Sequence, residues 1–145
     1  MTNIGKPGTA GIAARDMHFF WIVDCSGSMQ IDGKMAALNN AVKEAIPAMR
    51  DVAEENPFAK MLIRVIAFSS GATWTVAAPV PVADFNWMDL QADGVTDMGS
   101  AFEKVADQLE TEKLGARGFP PVLVLISDGQ PTDDWKKGLK KILDT

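Results

Sequence analysis

The chain has 145 residues, enough for one domain with a proper core, and its 47% hydrophobic and 23% charged residues are the balance of a water-soluble globular protein. A net charge of −5 and a pI near 4.8 argue against a nucleic-acid-binding surface. The single cysteine excludes an internal disulfide framework and a cysteine-rich zinc site, and no stretch has the apolar length of a signal-peptide core or a membrane span, so a cytoplasmic protein is expected.

Residues 1–16, with Gly5, Pro7, Gly8 and Gly11 and little periodicity, read as a loose leader, and 17–145 as one domain. Met17–Val23 is a strand whose run Phe19-Phe20-Trp21-Ile22-Val23 is bulky throughout, the pattern of a strand buried on both faces of a parallel sheet. Asp24–Gly33 is a loop. Lys34–Glu55 is a helix with Met35, Leu38, Val42, Ile46, Met49 and Val52 three or four residues apart, and Pro47 is expected to kink or split it.

Met61–Phe68 is a strand, Ser69-Ser70-Gly71 a turn, and Ala72–Val82 a strand that Pro79 and Pro81 assign to a sheet edge. A short apolar segment, Phe85–Leu90, precedes a second helix over Asp97–Leu114. Pro121–Ser127 reads as another fully buried strand, and Thr132–Leu143 as a last helix, with Thr132 as its cap. The one basic cluster, Lys136-Lys137 with Lys140-Lys141, falls on that helix and reads as a solvated face. The order β-α-β-β-α-β-α predicts an α/β fold with a mainly parallel sheet.

Chemistry concentrates where strands end. Open α/β sheets place ligand sites beyond the carboxyl ends of their strands. The first strand ends in Asp24-Cys25-Ser26-Gly27-Ser28, the last in Ser127-Asp128-Gly129, and Thr96 opens the second helix after Gly94-Val95. One carboxylate and two hydroxyls at alternating positions can converge on a hard cation, and Mg²⁺ takes such oxygen ligands octahedrally while keeping several waters. Taken alone, Asp24, Ser26 and Ser28 also suit a turn and cap, and Thr96 a helix N-cap. Cys25 reads as a small buried thiol and His18 as structural.

Together these segments resemble the von Willebrand factor A domain and its metal-ion-dependent adhesion site, in which D-x-S-x-S, a distant threonine and a distant aspartate share one Mg²⁺. The resemblance spans 17–144, element order included. It implies a Rossmann-like three-layer sandwich, a mainly parallel sheet with one antiparallel edge strand and helices on both faces. The strings Thr96-Asp97-Met98-Gly99 and Ser127-Asp128-Gly129-Gln130-Pro131-Thr132-Asp133-Asp134-Trp135 look most like the bacterial TerY-like branch, associated with tellurite resistance and chemical stress and found beside kinases and phosphatases.

The resemblance implies that Ser26 and Ser28 bind the metal directly, Thr96 directly or through water, and Asp24 and Asp128 through metal-bound waters and hydroxyls. Neutral hydroxyls leave the cation attractive to a partner's Asp or Glu. Mn²⁺ and Ca²⁺ are the alternatives to Mg²⁺, and Met29, Gln30 and Trp135 are candidate partner contacts. Val95 stands where the family often has a second glycine. The family usually continues for two more strands and helices, whereas this chain stops at Thr145, so an exposed edge at 121–127 and self-association through it are expected. A Mg²⁺-assisted phosphoryl hydrolase or transferase would need a Walker loop, a D-x-D pair or a positioned base, none of which the sequence presents. A scaffold with a vestigial site is the other alternative. The expected function is therefore a Mg²⁺-dependent protein-binding module, not an enzyme.

Overall fold

The computed structural model describes residues 15–110, 118–127 and 135–143, Trp135 through its backbone only. The elements in chain order are β1 (Arg15–Asp24), α1 (Lys34–Glu55), β2 (Ala59–Ser69), β3 (Gly71–Pro81), α2 (Met98–Gln108), β4 (Val122–Ile126) and α3 (Trp135–Leu143). Short 3-10 segments, Gly27–Gly33 and Val82–Asp84, precede α1 and follow β3. The sheet order is β3-β2-β1-β4, with β1 parallel to both β2 and β4 and β3 antiparallel to β2. This is the mixed, mostly parallel α/β sheet that the strand patterns and the family resemblance predict.

β1 is central because its side chains feed two cores. Trp21 and Val23 pack with Ile63 and Val65 against Met35, Leu38, Val42 and Ile46 of α1. Phe20 and Ile22 pack with Ile66 and Phe68 against Met98, Ala101, Phe102 and Val105 of α2. Alternate residues on a strand point to opposite faces, so a strand apolar at both parities suits only a middle layer. The register sets Asp24 level with Phe68 and Val23 level with Ile126, which brings the carboxyl ends of three strands to one end of the sheet.

Four sequence expectations need adjustment. Pro47 lies inside α1 without splitting it. It is exposed, as is Lys43, so the carbonyl that loses its partner faces water. α2 ends at Gln108 rather than Leu114: the Leu109 amide is shared between the Val105 and Ala106 carbonyls, both at 3.1 Å, the tightened last turn at which a helix stops. β4 is not fully buried, since Val122 is 37% and Leu125 44% exposed. Among the described residues β4 pairs with β1 alone, so these side chains stand at the margin of the sheet. The Asp24–Gly33 loop is mostly 3-10 helix, with Asp32 (φ 56°) and Gly33 (φ 71°) turning it into α1.

β3 is the antiparallel edge that its prolines require, with register shifts between Ile63 and Val65 and between Val65 and Ile66 of β2. α3 crosses α2 closely: a Cβ on Gly138 would lie 2.6 Å from the Gly99 carbonyl and 2.7 Å from Phe102 Cβ, so only glycine permits this approach. Lys141 bonds Asp107 at 2.8 Å on the exposed side of the same pair, in keeping with a solvated basic face.

Candidate metal centre

The first wall of the site is the turn that leaves β1. The Cys25 amide extends the β1–β2 ladder to the Phe68 carbonyl (2.8 Å), after which the chain turns away from the sheet. Asp24 has no exposed surface, and its Oδ1 accepts the Ser26 amide at 2.9 Å. Its Oδ2 accepts the Ser127 hydroxyl at 2.6 Å, tying the β1 turn to the end of β4. With one hydrogen bond on each oxygen, the carboxylate orders the turn and keeps a second acceptor position on each oxygen. Ser26 Oγ and Ser28 Oγ then stand 3.2 Å apart.

That separation can be tested against a metal. Adjacent ligands of an octahedral Mg²⁺ with metal–oxygen distances of about 2.0–2.1 Å stand about 2.9 Å apart. Ser26 and Ser28 fit neighbouring vertices after a shift of a few tenths of an ångström. No group of three or more His, Cys, Asp or Glu side chains suited to a metal occurs among the described residues. A centre built here would thus rest on hydroxyls, which suit a hard cation.

The second wall is the segment from Phe85 to Asp97, which has no helix or strand and is held by side chains instead. Asn39 is its latch. Asn39 Oδ1 accepts the Trp87 indole N–H and the Leu90 amide, both at 2.9 Å, while its Nδ2 donates to the Leu90 carbonyl at 3.0 Å. Arg50 donates to the carbonyls of Val82 (3.1 Å) and Phe85, and Gln30 donates to that of Ala92. The segment then joins the first wall: the Asp93 amide donates to the Cys25 carbonyl (2.7 Å) and the Gly27 amide to the Gly94 carbonyl (2.8 Å). Thr96, which is buried, follows two residues later.

The structure therefore brings Asp24, Ser26, Ser28 and the Thr96 segment to the carboxyl end of the sheet. Asp128 lies outside the described residues, although Ser127 beside it touches Asp24. Of the candidate partner contacts, Gln30 is exposed, whereas Met29 is 3% exposed and packs in the α1-side core. The side chain of Trp135 lies outside the described part, and the exposed neighbour at this rim is Ile31. Burial first, and the Asp24 charge second, push the Cys25 thiol up to about 11, in keeping with a small buried thiol.

Sequence reasoning missed Asn39 and Ser127. Asn39 carried a signal, being a polar residue next to Leu38 within an apolar helical stripe. Ser127 carried only its place before Asp128.

No curated protein matches the chain at a significant level. Solved structures share the fold. A von Willebrand factor type A protein from Catenulispora acidiphila is 20% identical with a TM-score of 0.61, over 88% of this chain and 31% of that one. The ArnB paralog VWA2 from Sulfolobus acidocaldarius is 18% identical with a TM-score of 0.58, over 84% and 30%. The pilus adhesin SpaC from Lactobacillus rhamnosus GG is 17% identical with a TM-score of 0.64, over 82% and 16%. The chain thus spans less than a third of each of these proteins. The profile of the von Willebrand factor type A domain matches residues 20–145, and the chain belongs to that family.

Proposed function

We propose that this domain is a divalent-metal-dependent protein-binding module. Ser26, Ser28 and Thr96 supply the metal's protein hydroxyls, and Asp24 and Asp128 anchor its waters. A partner's Asp or Glu side chain completes the coordination. The observation that carries this reading is the pair of hydroxyls 3.2 Å apart, held by a buried Asp24 whose two oxygens are both engaged. We take Mg²⁺ as the metal, with Mn²⁺ or Ca²⁺ as alternatives. The bound cation would supply local positive potential on a chain whose net charge is −5, so that an acidic group is drawn to this one place.

The module works by binding rather than catalysis. We place it in a cytoplasmic chemical-stress system of the TerY type, with a kinase or phosphatase of that system as partner. The basis is the Thr96-Asp97-Met98-Gly99 string and the Ser127–Trp135 stretch. Gln30 and Ile31, exposed beside the Ser28 turn, form the near rim of the partner surface.

Capture of partners from the source organism's lysate, in Mg²⁺ and in EDTA, tests this reading. A partner retained only with Mg²⁺, and lost from Asp24→Ala that remains folded by circular dichroism, is the expected result. Partners indifferent to EDTA would reduce the site to a structural or vestigial one.

A further inference from the structure

Among the described residues the Thr96 segment also makes contacts that lead away from the metal turn. The Asp97 amide donates to the Ser69 carbonyl at 2.9 Å, and the Gly71 amide donates to Asp97 Oδ2 at 2.6 Å. The Val95 amide reaches Ser70 Oγ at 3.4 Å. Three consecutive residues of the β2–β3 turn thus each hold the segment.

Asp97 stands at the N-cap of α2, where an aspartate usually accepts amides of its own helix, yet it makes no side-chain cap bond there. Its carboxylate crosses to another element instead. Both sides of this junction are shaped for it. Gly71 has φ +81°, which places its amide at a conformation few side chains tolerate. Gly94 has φ +85°, and a Cβ there would stand 2.6 Å from Ser70 Oγ and 3.2 Å from the Ser70 amide. A side chain at 94 would thus be strained by its backbone angle and would have to displace the Ser70 hydroxyl that meets the Val95 amide.

We propose that the β2–β3 turn, Ser69-Ser70-Gly71, is a further wall of the metal centre, and that Asp97 is the positioning residue fastening Thr96 to it. This rests on the reading of Thr96 as a metal-site residue. Thr96 lies between two clamps: Gly94, tied to the metal turn through Gly27, and Asp97, tied to the β2–β3 turn. Octahedral Mg²⁺ tolerates ligand displacements of only about 0.2 Å, so a hydroxyl on an unstructured segment needs such a double hold.

The test is a double-mutant cycle on Mg²⁺ affinity, measured by calorimetry on wild type, Asp97→Ala, Thr96→Ala and the double variant, with Asp97→Asn as the milder change. Hydrogen exchange at the Gly71 amide is followed in the metal-free proteins. Asp97→Ala should weaken Mg²⁺ binding about tenfold or more and strip the Gly71 amide of protection, with Asp97→Asn between. In the Thr96→Ala background the Asp97 change should cost almost nothing further, because it acts through Thr96.

Additive losses would overturn the inference, since Asp97 would then act by its charge and not by placing Thr96. Wild-type affinity in Asp97→Ala would overturn it too, while leaving the metal reading intact. No Mg²⁺ uptake by the wild-type chain would remove both.

Discussion

Asp24 shows how one buried side chain can order the turn that carries a site. Each of its oxygens takes one hydrogen bond, from the Ser26 amide and from the Ser127 hydroxyl, and that fixes the turn from which the Ser26 and Ser28 hydroxyls meet. At the other end of β1 the buried polar residues behave differently. Among the described residues His18 Nδ1 and the Nε and Nη1 of Arg64 find no hydrogen-bond partner, and the guanidinium lies 5.2 Å from the centre of the Phe20 ring. Burial, and then the Arg64 charge, hold the His18 pKa below its ordinary value of 6.5, against a weaker opposing pull from Asp16. Below pH 6.5 the unfolded chain therefore binds the proton that the folded chain refuses. Stability should be full above pH 6.5 and fall as the pH drops toward the lowered value. Urea midpoints of wild type and His18→Phe between pH 5 and 7.5 check this: the variant should lose the histidine part of the slope, and equal slopes would contradict it. The reading of His18 as structural suits a buried ring, but the sequence held no sign of Arg64 beside it, because that pairing depends on the β1–β2 register.

At the scale of elements, the Phe85–Asp97 segment is the part that sequence periodicity could not describe. It has no repeat because it is not held by backbone ladders. It hangs from Asn39, Arg50 and Gln30 at one end and from the two turns at the other. Asn39→Ala removes three hydrogen bonds and leaves the Trp87 N–H and the Leu90 amide to find water. The expected loss is about 2 kcal/mol, with Trp87 moving to a wetter environment. Denaturant unfolding and tryptophan emission measure both, and an unchanged emission maximum would argue against the latch. By contrast, α1 over Lys34–Glu55 and the strands were legible almost to the residue. Their signals, a 3.6-residue apolar stripe and runs of bulky residues, arise from burial against a flat sheet and need no knowledge of partners.

For the whole molecule, the arrangement follows from one strand apolar on both faces, which demands a helix layer on each side and parallel neighbours. The metal candidates at strand ends were readable for the same reason, since strand-terminal residues of a parallel sheet emerge together. Which loops bolt onto them was not, because those bonds join residues far apart in sequence, such as Gly71 to Asp97 and Asp24 to Ser127. β4 pairs on one side only among the described residues, with Val122 and Leu125 partly exposed. Such an edge invites another strand. This chain should show concentration-dependent self-association by light scattering, reduced by Leu125→Lys. A monomer throughout a rise to millimolar concentration would contradict that expectation.

In the proposed module the hydroxyls of the β1 turn, Ser26 and Ser28, hold a divalent cation. Calorimetric titration of Mg²⁺ into the wild-type chain and into the Ser26→Ala, Ser28→Ala double variant decides whether they do. One saturable site in the wild type, absent from a double variant whose thermal unfolding remains cooperative, is the predicted result. Equal binding by the two proteins, or no binding by either, would contradict it.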